Sequence, residues 1–451
     1  MALLRATVSV LLSLLLVIQP VAAQGIRTLR DAEMEAFIHA ATDPVFKAAG
    51  MVPSNVDIVI VDDPALNAFY AGGQRIFIHT GLILQTEKVG QVVGVMAHET
   101  GHMVGGHVQR FGEAIGPATS ISLLSLLLGA AAIAAGAPEL GTGIMGGGQS
   151  AAQRTVMSFR RVQEASADQA AATYLHDAGL SGKGLIEVFE KFRFQELLSR
   201  PNMDQYVVTH PLSSNRINNL QSKLEASPYW DKPYDPELQH WYDRIKAKLD
   251  GYLFPARSTL GKYPPENTSI PARYARVYAY NKALEWEKAM DEADALIAKE
   301  PNDPYFREVK GQILLENGHV DKAIPVLRQA AELAPDEPLI LTLYGQALVA
   351  KETRETDLQA IEVLERATRL DRRNIFGWHQ LAIAYMRTDQ PALANLASAE
   401  RALLMGQAEK AARDATAASE GLQRGTPKWL RAEDIRTVVG SAVMDGGRRR
   451  R

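Results

Sequence analysis

A repeat limits the fold of this chain more than any other feature. Ala298-Lys299-Glu300-Pro301-Asn302-Asp303-Pro304 is echoed 34 residues later by Glu332-Leu333-Ala334-Pro335-Asp336-Glu337-Pro338, and Gly311 and Ala289 return as Gly345 and Ala323. A third copy carries a three-residue insertion near Thr353 to Asp357, so that Leu370 follows Leu333 by 37 residues and Ala382 follows Gly345 by the same step. A helix-turn-helix unit of this length cannot bury its apolar face alone, and stacking on its neighbours is what makes the core. The second half is therefore predicted to be an α-solenoid, with roughly four units between Ser269 and Met405. The first half lacks the period, so the 451 residues divide into at least two domains, as about 150 residues per domain would suggest.

The 34-residue period resembles the tetratricopeptide repeat, which implies a concave face that binds peptides or partner proteins and does no chemistry of its own. Chemistry must then lie upstream. At the N-terminus Arg5 precedes an apolar run from Val8 to Ile18 that ends in Val21-Ala22-Ala23-Gln24, and the short side chains at Val21 and Ala23 suit signal-peptidase cleavage after Ala23. The remainder would work outside the cytoplasm. With no cysteine the chain has no disulfide and no thiolate metal ligand, so any metal must be held by His, Asp or Glu. A net charge of −3 gives no reason to expect nucleic acid as a partner.

Met34, Phe37, Ile38 and Ala41 recur at helical spacing and predict a helix from Asp31 to Ala49 that ends near Gly50. The runs Val56–Val61, Asn67–Tyr70 and Arg75–His79 alternate or are β-branched, and predict short strands of a small sheet. Val89 to His107 returns to a helical period. The fold class is thus mostly α with a small β-sheet, ahead of the solenoid.

Within that helix lies Val95-Met96-Ala97-His98-Glu99-Thr100-Gly101-His102, an HExxH motif. Positions i and i+4 share a helix face, so His98 and His102 can converge on one zinc at about 2.0–2.1 Å. Glu99 then sits beside the metal without binding it, where it can take a proton from a water whose pKa the metal lowers to about 7 and pass it to a leaving amine. A catalytic zinc wants a third protein ligand. His107 is one candidate, in His102-Met103-Val104-Gly105-Gly106-His107, although the HExxHxxGxxH pattern would need the histidine at position 108, which is Val108. Glu164 is the other, in Glu164-Ala165-Ser166-Ala167-Asp168 on an alanine-rich helix that ends at Gly179. Glu164 and Asp168 are again i and i+4, so one can face the metal and the other a ligand histidine's free N–H.

HExxH, the glycine-bracketed His107, the ExxxD helix and Thr209-His210-Pro211-Leu212 with Arg216, in this order, resemble the zinc peptidases that include the CaaX prenyl proteases. The leader and C-terminal repeats narrow the resemblance to a periplasmic member. It implies one Zn2+ per chain bound by His98, His102 and Glu164, Glu99 as general base and Asp168 behind the ligands. It also implies a role for His210 near the metal, as a fourth ligand that silences the site or as a donor to the tetrahedral oxyanion. Substrates would be unfolded or misassembled outer-membrane proteins, and the repeats would meet the barrel assembly machinery. The strands around Asn67-Ala68-Phe69 and Ile76-Phe77-Ile78 could offer an exposed edge to an extended substrate, or simply cover the active helix. His79 reads as a surface residue at a strand end.

Ala114 to Pro138 carries no charge and its apolar core approaches membrane-spanning length, but one crossing would separate His98 and His102 from Glu164. A hairpin, serving as a lid or lying on a membrane surface, avoids that, with Gly143 to Gly148 as the flexible part of a gate. The expected division is a signal peptide over 1–23, a zinc metallopeptidase domain over 24–262 with the lid or membrane-surface segment at 114–150, repeats over 263–425 and a C-terminal tail over 426–451, disordered from Gly446 to Arg451. The rival to a protease with chaperone activity is a repeat-based chaperone or adaptor whose zinc site is latent.

Overall fold

A computed structural model describes residues 27–134, 137–198, 210 and 212–448, so the leader lies outside the described residues. After β1 (Thr28–Leu29), Asp31 caps α1 (Ala32–Ala48) by accepting the Met34 N–H at 2.8 Å, and Gly50 closes the helix at φ +73°. β2 (Asp57–Val61), β3 (Ala68–Tyr70) and β4 (Arg75–His79) follow, and the sheet order is β1-β2-β4-β3. β2 and β4 run parallel with Ile58 opposite Ile76, while β3 pairs antiparallel with β4 and is left as an edge. Ile58, Ile60, Ile76 and Ile78 face the core, and Phe69 stacks on Phe77 across the other face at 4.9 Å. β1, at two residues, is too short to show an alternating pattern in the sequence.

α2 (Thr80–Gln85) leads into α3 (Val89–Val104), buried on nearly every side. Its glycines are what allow this. A Cβ on Gly94 would lie 2.7 Å from Leu185 Cβ, and one on Gly101 2.7 Å from the Ala167 carbonyl oxygen. The chain turns at Gly105-Gly106, with Gly106 at φ +61°, and α4 (His107–Ala134) and α5 (Pro138–Asp177) form a long antiparallel hairpin. The stretch Gly143 to Gly148, expected to be a flexible gate, is helical within α5. α6 (Lys183–Leu198), α7 (Ser214–Glu225) and α8 (Pro236–Leu253) complete a core that includes Phe37, Phe46, Ile60, Ile78, Val93, Met96, Phe189 and Tyr242.

After α9 (Ala256–Lys262) the solenoid stacks α10 (Ile270–Lys282) on α11 (Trp286–Lys299), α12 (Pro304–Glu316) on α13 (Val320–Leu333), α14 (Pro338–Ala350) on α15 (Arg354–Leu370) and α16 (Ile375–Arg387) on α17 (Pro391–Leu404). The repeated glycines sit where helices touch: a Cβ on Gly311 would meet Leu327 at 2.4 Å, and one on Gly345 would meet Leu364 at 2.5 Å. The stack continues into α18 (Ala408–Gly421) and α19 (Pro427–Arg448), which corrects the expected tail. α18 presents Ala411, Ala415 and Ala418 to Ala432, Ile435 and Val439 of α19, so an alanine stripe that would otherwise face water is covered.

The two halves are joined by charge as well as by chain. Glu33 is fully buried and receives Arg244, the Lys248 ammonium at 3.3 Å and the Tyr274 hydroxyl at 2.7 Å. Arg244 continues to Asp303 at 2.8 Å, and Arg30 reaches Asp371 at 2.8 Å. Burial pushes the Glu33 carboxyl up, but Arg244 and Lys248 outweigh it and hold the group below its usual range. The Pro264 turn is pinned by the buried Arg276, which donates to the carbonyls of Pro264 and Asn267, each at 2.8 Å.

Candidate metal centre

The site lies where α3 crosses α5, and the close approach of Gly101 to Ala167 sets its width. Glu164 and Asp168 flank Ala167 on the face of α5 that meets α3, so both carboxylates reach the HExxH imidazoles. His98, His102, Glu164 and His210 are all buried, and their nearest donor atoms lie within 4.8 Å of one another. His98 Nε2 is 3.1 Å from His102 Nε2, 3.4 Å from Glu164 Oε2 and 3.4 Å from His210 Nδ1. Glu164 Oε1 is 3.4 Å from His102 Nε2, and its Oε2 is 3.1 Å from His210 Nδ1. Donors about 2.0–2.1 Å from a tetrahedral centre are about 3.4 Å apart, so this set fits a zinc ion, with nitrogen and carboxylate ligands of the type zinc takes.

Around this set every side chain has a second partner. His98 Nδ1 faces Asp168 Oδ1 at 3.0 Å, and Asp168 is gripped by Arg216 through Nε at 2.5 Å and Nη2 at 2.9 Å. Arg216 also touches Glu164 Oε2 at 3.0 Å and lies over the Phe189 ring. His107 does not join the four donors. Its Nδ1 pairs with His102 Nδ1 at 2.9 Å, steadying the ring from behind, and a Cβ on Gly105 would strike the His107 ring at 2.4 Å. Glu99 is fully buried: Oε2 accepts the Tyr70 N–H from β3 at 2.9 Å, while Oε1 has no hydrogen-bond partner among the described residues and stands 3.6 Å from His210 Nε2. A buried carboxylate oxygen so placed can take a proton or accept from a water.

The electrostatics agree with a cation site. Burial opposes charge on His98, yet the Asp168 and Glu164 carboxylates overcome it and hold the ring at about 9. Burial lowers His102, and also His107, to about 4 for the latter. Burial pushes Glu164 up, but His210 and the two HExxH histidines carry it well below the usual carboxylate range. His79, read as a surface residue, is buried against Phe69 and lies 3.5 Å from Asp63.

Three contacts lie outside what the motif spacing predicts: Arg216 grips Asp168, the Tyr70 amide, a backbone atom that no motif encodes, binds Glu99, and His107, a candidate ligand by sequence, backs His102 instead. The i, i+4 pattern displays partners on one helix, whereas these three reach the site from other elements.

Fold and site together define a metallopeptidase domain of the HExxH type followed by a helical-repeat solenoid. Residues 30–224 match peptidase family M48, and residues 274–338 and 309–375 match the tetratricopeptide repeat. The chain therefore carries an M48 peptidase domain and tetratricopeptide repeats. It is similar over most of its length to proteins named beta-barrel assembly-enhancing protease: that of Escherichia coli (strain K12) is 23% identical over 424 residues, covering 89% of this chain and 82% of that one. The putative one of Vibrio cholerae is 24% identical, covering 88% and 82%. The metalloprotease LoiP of Escherichia coli (strain K12) is 27% identical over 39% of this chain and 64% of its own. Among solved structures, yeast Tom70 aligns at a TM-score of 0.31 and 13% identity over 81% of this chain and 82% of that one.

Proposed function

We propose that this chain is a periplasmic zinc-dependent endopeptidase that acts in the assembly and quality control of outer-membrane proteins, with chaperone activity from its repeats. The observation that carries the reading is four buried donors at tetrahedral spacing beside a carboxylate oxygen with no hydrogen-bond partner among the described residues. His98, His102 and Glu164 would hold the metal. A zinc ion held there would supply a Lewis acid that lowers the pKa of a water to about 7 and polarises the scissile carbonyl. Glu99 Oε1 takes the water's proton and returns it to the leaving amine, while the Tyr70 amide fixes the other oxygen. Asp168, held by Arg216, sets the His98 ring and keeps its Nε2 aimed inward. β3, at the sheet edge and tied to Glu99 through Tyr70, offers its outer main chain to an extended substrate with little demand on side chains. The names of the similar proteins speak of β-barrel assembly, and on this reading the substrates are unfolded or misassembled outer-membrane β-barrel proteins and the partner of the repeats is the barrel assembly machinery.

His210 favours a second reading. As a fourth donor it would close the site, and a closed zinc site has no position for water, which suits a chaperone or adaptor with a latent centre. Swung out, the same imidazole can donate to the oxyanion. Zinc content and cleavage of an unfolded model protein by the wild type, Glu99→Gln and His210→Ala separate these. One zinc per chain, no cleavage by the first variant and faster cleavage by the second support a protease restrained by His210. Zinc without cleavage in all three leaves the chaperone.

A further inference from the structure

The hairpin of α4 and α5 takes no part in the chemistry above, yet among the described residues it holds the largest collection of exposed apolar side chains. Leu123, Leu124, Leu126, Leu127 and Leu128 each expose more than half their surface, and Ile115, Ile133 and Leu140 are exposed as well. Among the described residues, α4 supplies the one helix long and apolar enough to cross a membrane, and little of it is buried, so it is not a core helix. We infer that this hairpin inserts into a lipid bilayer, with its base at an anionic headgroup layer.

Four observations favour lipid as the occupant over a second copy of the chain or an unfolded client. From Ile115 to Ala134 the 20 residues of α4 carry no charge and span about 30 Å, the thickness of the hydrocarbon layer. Glu139, in the first turn of α5 just past the tip, would then reach the far headgroups. The base carries Arg110, Arg154, Arg160 and Arg161 against the single acid Glu113, with Arg160 over the Phe111 ring, the charge and aromatic character that an anionic interface attracts. Three hydroxyls within the arm bond to its own backbone: Ser120 donates to the Gly116 carbonyl at 3.0 Å, Ser125 to that of Ser122 at 2.9 Å and Thr142 to that of Pro138 at 3.1 Å. Finally, Gly141, Gly143, Gly146, Gly147 and Gly148 sit in one helix, where each costs about 1 kcal/mol against alanine in water. A bilayer, which forbids unpaired backbone, enforces that helix, and the glycines let the arms close: a Cβ on Gly129 would lie 2.7 Å from the Gly141 carbonyl oxygen. A protein partner would need none of this matching of length, charge and internal hydrogen bonding.

The test uses the chain from Gln24 onward, so that the apolar run Val8–Ile18 cannot report, with vesicles of phosphatidylethanolamine and phosphatidylglycerol. The wild type is expected to float with the vesicles. Leu123→Ser/Leu124→Ser/Leu127→Ser should stay in solution with an unchanged circular dichroism spectrum and Tm, because those side chains are more than half exposed and lie outside the core. Arg154→Gln/Arg160→Gln/Arg161→Gln should bind about a hundredfold more weakly at low salt. The absence of native cysteine permits one fluorophore at Leu127→Cys, whose emission should shift to the blue on adding vesicles, while a label at Leu284→Cys, on the far solenoid, should not respond. A wild type that does not float, a leucine variant that floats as well as the wild type, or a dimer without lipid that the leucine substitutions dissociate would each overturn the inference. The last would hand the arm to a second copy of the chain.

Discussion

Gly101→Ala is the sharpest probe of how the centre is built. In an exposed helix a glycine-to-alanine change stabilises by about 1 kcal/mol. Here the new Cβ would lie 2.7 Å from the Ala167 carbonyl oxygen and 3.0 Å from its Cα, against 3.4 Å or more for ordinary contact, so α3 and α5 must part by about 0.7 Å. Both neighbours are backbone atoms that cannot turn aside. Glu164 and Asp168 ride on the displaced helix, and a zinc site tolerates only about 0.2 Å in its ligand distances. Zinc affinity, measured by competition with a chromogenic chelator, should fall at least about 10- to 100-fold, and overpacking of about 1–3 kcal/mol should lower Tm by roughly 2–10 °C. Gly112→Ala, whose Cβ would meet nothing within 4 Å, is the control and should leave both unchanged or raise Tm. If Gly101→Ala binds zinc as the wild type does and melts no lower, the crossing is looser than the structure has it, and the account of how Glu164 reaches the histidines fails.

Other consequences can be measured separately. Because the carboxylates hold metal-free His98 at about 9 while His102 is lowered, zinc binding at pH 7 should displace about one proton. Calorimetry in two buffers of different ionisation heat should show it, with affinity rising about tenfold per pH unit until pH 9; no proton release would contradict the His98 environment. Glu33→Ala removes the fully buried carboxylate that Arg244 and Lys248 share, leaving them Asp303 and Asp31, and should cost about 3 kcal/mol in urea denaturation at pH 7. Since folding lowers the Glu33 pKa, its stabilisation is present above the unfolded value near 4.5 and is lost as pH falls through the folded one, so wild type and variant should converge in acid. Truncation after Gly425 removes the cover of Ala411, Ala415 and Ala418, and should destabilise the end of the solenoid by roughly 3–6 kcal/mol in hydrogen exchange while zinc affinity stays the same.

What the sequence displayed depended on whether partners share an element. HExxH and ExxxD are helical spacings, so His98, His102, Glu164 and Asp168 could be read as two facing pairs before any fold was known. The repeat period gave the solenoid in the same way. Contacts made across elements left no local trace, which is why the Tyr70 amide on Glu99, His107 behind His102 and Arg216 on Asp168 emerge only from the packed structure. Two departures share a cause. The composition of Gly143 to Gly148 and of the Gly446-Gly447 end predicts loose chain, yet both lie in helices. In α19 the helical spacing of Ala432, Ile435 and Val439 was present in the sequence and was outweighed by the glycine and arginine end that follows it.

α5 is a single rod of 40 residues, about 60 Å long, and it carries the membrane-facing arm at one end and Glu164 near the other. Its fulcrum is the contact of Ala167 with Gly101. From there the tip at Pro138 is about 44 Å away and Glu164 about 4.5 Å, a ratio of roughly ten to one. A sideways load that moves the tip by about 5 Å therefore shifts the carboxylate by about 0.5 Å, more than a zinc ligand tolerates. The molecule thus holds a mechanical advantage, by which a large, weak displacement at the tip of the arm becomes a small and decisive one at the four-donor site.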